Sequence, residues 1–76
     1  MAEPVPLIVV IDGAEYLIDA AAWVPAGTPL EDRPAVMAAV VQGWLTRSEV
    51  VGLPLVGGSS MLTNWRAVEL FEVRLP

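Results

Sequence analysis

Residues 32–47, DRPAVMAAVVQGWLTR, decide how the rest of the chain is read. Between Arg33 and Arg47 the segment carries no charge, and its apolar residues recur at helical rather than alternating spacing. With about 100° between successive residues, Val36, Met37, Val40, Val41, Trp44 and Leu45 cover roughly half the helix circumference. The other half is small or uncharged: Ala35, Ala38, Ala39 and Gly43, with Gln42 and Thr46. A helix lying on a small sheet normally turns charges to water, and this one has none to turn. Ala35, Ala39 and Gly43 follow one another at every fourth position, a low stripe along which a second helix could approach. Alanine is also the strongest helix former, so the same residues serve helix propensity without any partner.

The start of the helix is set by its prolines. Thr28-Pro29-Leu30-Glu31 has the form of a capping box with proline at the first helical position. A start there would put Pro34 inside the helix, where its ring and missing N–H break the ladder. A start with Asp32 as cap leaves Pro34 in the tolerant first turn. The expectation is a short turn over 29–32 leading into the helix at about 33. Its end falls near Arg47, although Gly52 and Pro54 would also suit a stop at Val51.

On the N-terminal side, LIVVI (7–11) and AEYLI (14–18) flank Asp12-Gly13. Asp-Gly between apolar runs signals a two-residue type I′ hairpin, because both central positions need positive φ. That loop pairs Ile11 with Ala14, Val9 with Tyr16 and Leu7 with Ile18, all apolar and all on one face, which is therefore the core face. The opposite face carries Ile8, Val10 and Leu17 beside only Glu15 and Asp19, and is less polar than a fully solvated face. Asp19–Trp23, DAAAW, is compatible with a helical turn capped by Asp19 or with continued strand, and 24–27 is a loop.

Beyond the helix, VVGLPLVGGSS (50–60) reads as a connector or as an irregular edge strand ending in a Gly-Gly turn. Met61–Trp65 is a short strand candidate. In VELFEVRL (68–75) the alternation changes phase, and a bulge at Leu70-Phe71 would keep Val68 and Leu70 on the core side with Phe71, Val73 and Leu75. A short helix from Trp65 capped by Asn64 competes with that strand, and the β-rich alternating ending favours the strand.

These elements predict one α+β domain over 1–76. A small antiparallel sheet of three to four strands, from an N-terminal hairpin (about 7–18) and C-terminal strands (about 61–75), is packed by one central helix (about 33–47).

Composition narrows what such a domain does. A chain of 76 residues buries only about 60 % of its unfolded surface, so small domains lean on disulfides, metals or partners. Cysteine and histidine are absent, which removes disulfides and makes a structural zinc site unsuitable. Hydrophobic residues make up 55 % and charged residues 17 % of the chain, against about 25 % charged in ordinary domains. So few charges coat a small monomer poorly, which points to a homo-oligomer or a protein partner.

The net charge of −5 comes from nine acids against four arginines, with no lysine. That balance and the lack of a basic stripe argue against nucleic acid and anionic lipid. The acids are too scattered to imitate a nucleic acid. The start, MAEPVPLIVVIDG, lacks a basic signal-peptide region. Pro34–Thr46, the longest uncharged helical run, falls short of the ~20 residues of a membrane span. The expected location is cytoplasmic, and the all-arginine, Ala/Val-rich usage resembles a GC-rich bacterial or phage genome.

Without His, Cys or Lys the chain lacks Ser–His, Cys–His and Schiff-base chemistry. The acidic pairs Asp12/Glu15, Glu31/Asp32 and Glu69/Glu72 each have a structural explanation: a turn, a helix start and an outward strand face. Gly57-Gly58-Ser59-Ser60 could form an anion nest, but no Walker lysine follows, and a tight loop explains it.

No catalytic residue, metal ligand or cofactor is therefore expected, and the leading expectation is a non-enzymatic protein-interaction module. A small apolar-ligand binder with its pocket between helix and sheet is the alternative, and a carboxylate-only enzyme a remote one. The interaction candidates are the stripe Ala35, Ala39 and Gly43, with Trp23 and Trp65. Tryptophan is enriched at interfaces, whereas Trp44, on the large-residue side of the helix, belongs to the core.

Overall fold

The Asp-Gly turn behaves as its chemistry dictates. In a computed structural model of the protein, which describes residues 3–76, Asp12 has φ 49° and Gly13 φ 90°. They join β1 (Pro6–Ile11) to β2 (Ala14–Asp19). The register is Ile11 with Ala14, Val9 with Tyr16 and Leu7 with Ile18, as the two-residue loop predicts. Leu7, Val9 and Ile18 are fully buried, Ile11 and Tyr16 partly buried, and Ala14 lies exposed at the turn.

The open question at Asp19–Trp23 resolves as a turn. The Asp19 carboxylate accepts the N–H groups of Val5 (2.9 Å) and Ala21 (3.0 Å). Trp23 and Val24 N–H both donate to the Ala20 carbonyl. This turn drops Val24 into the core before the loop.

A 3₁₀ turn over Leu30–Asp32 runs directly into α1 (Arg33–Thr46), so the start at 33 holds. Neither sequence cap operates through its side chain. The Thr28 hydroxyl donates to the Pro25 carbonyl at 2.7 Å instead of capping. Asp32 makes no side-chain cap bond because the 3₁₀ turn already holds it in αR conformation. The C-terminus is a Schellman turn: Glu49 N–H donates to Trp44 O, Ser48 N–H to Leu45 O, and Ser48 adopts φ 55°. The helix thus stops at Arg47 without the later glycine or proline.

Ending there frees residues 50–54 to form β3 (Val50–Pro54), which pairs antiparallel with β4 (Ser60–Asn64). This hairpin is a two-stranded sheet of its own, while β5 (Phe71–Arg74) joins the first hairpin in the order β2-β1-β5. The fold is α+β, with one α-helix and two antiparallel sheets among the described residues. The expected single sheet is divided, because the C-terminal strands go to different partners. Between β4 and β5 lies the 3₁₀ turn Trp65–Ala67, with the Asn64 side chain accepting Arg66 N–H. Turn and strand both form, in succession. No bulge keeps Leu70 inside: β5 begins at Phe71, and Leu70 is 75 % exposed.

The core sits where α1 meets the inner faces of both sheets. Leu7, Val9, Ile18, Val24, Met37, Val41 and Leu53 are buried at 0–1 % exposure. Each such side chain contributes about 1.5–3 kcal/mol of burial. Through it runs an aromatic row from Trp23 to Trp44 (centroids 5.1 Å apart), on to Trp65 (5.9 Å) and Phe71 (6.2 Å). The two edge-on pairs, Trp23–Trp44 and Trp65–Phe71, each add about 0.5–1.5 kcal/mol beyond their area. The row ties the turn after β2, the helix, the second 3₁₀ turn and β5 into one interior.

Candidate interaction surface

The outer helix face is as sparsely charged as its residues require. Ala35 and Ala39 are exposed. Gln42 and Thr46 are exposed too, but turn their polar groups back on the helix: the Thr46 hydroxyl donates to Gln42 O at 2.8 Å. Gly43 differs. It is half-buried because Arg47 folds back over it, so that a Cβ at Gly43 would lie 3.1 Å from Arg47 Nη1. Arg47 is held there by Glu49, with Nε to Oε2 at 2.7 Å, and Glu49 is brought alongside by the Schellman turn. A charge therefore covers the C-terminal end of the stripe, and its open part is Ala35 and Ala39.

The two tryptophans are placed elsewhere. Trp65 has no exposed surface and stacks between Trp44 and Phe71, so it is a core residue and not a contact residue. Trp23 is partly buried, its ring set edge-on to Trp44 at 78°. Both attach to the Trp44 side of the helix, away from Ala35 and Ala39. The five candidates are thus not brought together. What drew Trp65 inward is long-range stacking, which single-residue enrichment at interfaces does not register.

Large apolar side chains are exposed beyond these five candidates. On the outward face of the β3–β4 hairpin, Leu62 (76 % exposed) lies opposite Gly52, with Val50 beside them at 57 %. The alternation that sends Val51, Leu53, Met61 and Thr63 inward sends Val50 and Leu62 outward, so the signal was there in the strand period. Leu17 and Val56, also exposed, are brought together where Val56 N–H donates to Leu17 O at 3.2 Å. Leu70 borders a shallow depression of about 320 Å³ with Val10, Gly13, Phe71 and Glu72. A second, of about 240 Å³, lies among Pro4, Val5, Ala21, Val24 and Gly27.

Asp12, Asp19, Glu15, Glu49 and Glu72 are engaged structurally. Asp12 Oδ1 accepts the N–H groups of Glu69 (3.1 Å) and Leu70 (2.9 Å). Arg74 pairs with Glu15 and reaches Glu72 at 3.8 Å, spanning the outer face of β1. Among the described residues no group of three or more acidic side chains is gathered to hold a metal ion, and no helix is long and apolar enough to cross a membrane. Comparison with protein-family models, with curated proteins and with solved structures finds no match to this chain.

Proposed function

We propose that this protein is a non-enzymatic interaction module, an inhibitor or accessory factor of bacterial or phage origin. It acts in the cytoplasm, as a homo-oligomer or on a host protein. The observation that supports the reading is the amount of large apolar surface left in water: Leu17, Leu30, Val50, Val56, Leu62, Leu70 and Leu75 are all at least 36 % exposed. A domain with 17 % charged residues has little polar surface to dilute them, and the places where they gather, Val50 with Leu62 and Leu17 with Val56, favour contact with other proteins. A small apolar ligand between helix and sheet fits less well, because Leu7, Val9, Met37 and Val41 already fill that space.

Sedimentation velocity over a wide concentration range, together with affinity capture from the native host, tests the reading. A dimer or larger species, or a stoichiometric protein partner, is the expected result. A monomer at every concentration that binds no protein would refute it.

A further inference from the structure

The edges of the two sheets differ in what they offer another strand. The outer edge of β2 is already engaged, by the bridge between Ile18 and Leu55 and by the Val56–Leu17 hydrogen bond. The outer edge of β4 carries Ser60, Leu62 and Asn64 and no charge that would select a partner or a register. β5 ends its sheet, and no described strand lies beyond it.

The direction of the β5 backbone groups follows from one hydrogen bond. Asp12 N–H donates to Leu70 O at 3.0 Å, which places Asp12 and Leu70 at a hydrogen-bonded position of the β1–β5 ladder. Antiparallel ladders alternate, so the pairs Val10–Glu72 and Ile8–Arg74 are the hydrogen-bonded ones, and Val9–Val73 and Ile11–Phe71 are not. The N–H and C=O groups of Phe71, Val73 and Leu75 therefore point away from β1, toward the edge that no described strand pairs with.

We propose that this edge pairs antiparallel with β5 of a second copy of the chain, with Val73 on the two-fold axis. The inference rests on the interaction reading above and names its partner and surface. In this register Val73 faces Val73, Phe71 faces Leu75, and Glu72 of each copy faces Arg74 of the other. Residues 71, 73 and 75 occupy the hydrogen-bonded positions. Glu72 and Arg74 fall at the non-hydrogen-bonded position, where opposed Cβ atoms come closest, about 4.5–5.5 Å apart.

The segment is thus self-complementary in charge, as a two-fold interface requires. Both ion pairs lie on the outer face, where Arg74 already stands beside Glu72 and Glu15 of its own chain. On the inner face Phe71 and Val73 are only half-buried and Leu75 is 36 % exposed, so the core is unfinished at this edge. A second β5 would cover it and merge the two sheets into one.

Charge exchange tests the register. Glu72→Arg sets two arginines facing across the axis, and Arg74→Glu sets two acids facing. Each single variant alone should dissociate the dimer about tenfold more readily. Mixing the two restores both opposed pairs, so equimolar Glu72→Arg and Arg74→Glu chains should form a heterodimer, read by native mass spectrometry on tagged chains. Circular dichroism confirms that each variant is folded.

Val73→Pro leaves every charge in place and removes an N–H that β1 does not use, and should also yield monomer. If the singles dimerise as the parent does, or the mixture fails to associate while both chains are folded, the register is wrong. A dimer that withstands all three substitutions and separates with Ala39→Glu would overturn the β5 edge while leaving the interaction reading intact. A parent chain that is monomeric at every concentration overturns the β5 pairing outright, and capture of a host protein then decides the broader reading.

Discussion

Replacing Asp12 removes three things at once, and their sizes can be separated. The residue holds φ 49° in the hairpin turn, and its carboxylate accepts the N–H groups of Glu69 and Leu70 from the far end of the chain. Left-handed backbone costs an ordinary residue about 1–2 kcal/mol, whereas Asn and Asp tolerate it through local hydrogen bonding and Gly adopts it freely. Each hydrogen bond to the side chain is worth about 0.5–1.5 kcal/mol, taken toward the lower part because Asp12 is exposed and water can replace it. Asp12→Ala should therefore cost about 2–3 kcal/mol. Asp12→Gly, which keeps the turn and loses the acceptor, should cost about 1–2 kcal/mol, and Asp12→Asn, which keeps both, less than about 1 kcal/mol.

A chain of this size has a total stability of roughly 4–11 kcal/mol, so the alanine variant loses a large share of it. Urea unfolding at one fixed protein concentration gives the differences, and the alanine variant should melt about 10–20 °C lower. Hydrogen exchange provides the local readout: the Glu69 and Leu70 amides should lose protection in the Ala and Gly variants and keep it in Asn. If the Ala and Asn variants unfold within about 0.5 kcal/mol of each other, the carboxylate is not what pins the approach to β5.

Three other substitutions probe single features. Ser48→Gly places the residue best suited to φ 55° at the end of α1, and should raise stability by about 0.5–1 kcal/mol in thermal or urea melts. Thr63→Val replaces a buried hydroxyl with no hydrogen-bond partner among the described residues by a methyl group of the same shape, and should be neutral or stabilising by about 1 kcal/mol. Gly43→Ala gains about 0.5–1 kcal/mol of helix propensity, since the nearest atoms a Cβ would meet belong to the end of the exposed Arg47 side chain, which can swing aside. Loss of stability on Gly43→Ala would show instead that Arg47 is fixed over the helix, which crystallography of the variant would reveal directly.

What the sequence by itself determined is what its near neighbours determine. Asp12-Gly13 imposes positive φ on two adjacent residues, and that alone dictates the β1–β2 register. Pro34 excludes an earlier start for α1, and the absence of charge from Pro34 to Thr46 leaves that helix face without a charge of its own, although Arg47 folds over its Gly43 end. The end at Arg47 is local too, although it rests on a serine in a conformation that composition does not announce.

The tertiary structure decided everything that depends on distant partners. β4 and β5 lie close in sequence, yet one pairs with β3 and the other with β1, because the Trp65–Ala67 turn and the Asp12 bonds redirect the chain between them. Leu70 turns outward since its N–H is claimed by Asp12, 58 residues away, which alternation within VELFEVRL cannot register. Trp65 goes inside because Trp44, distant in sequence, and Phe71 pack their rings against it. The edge of β5 acquires its meaning in the same way. Glu72 and Arg74 are ordinary alternating charges in the sequence, and become a self-complementary pair only once β1 has taken one side of the strand and left the other open.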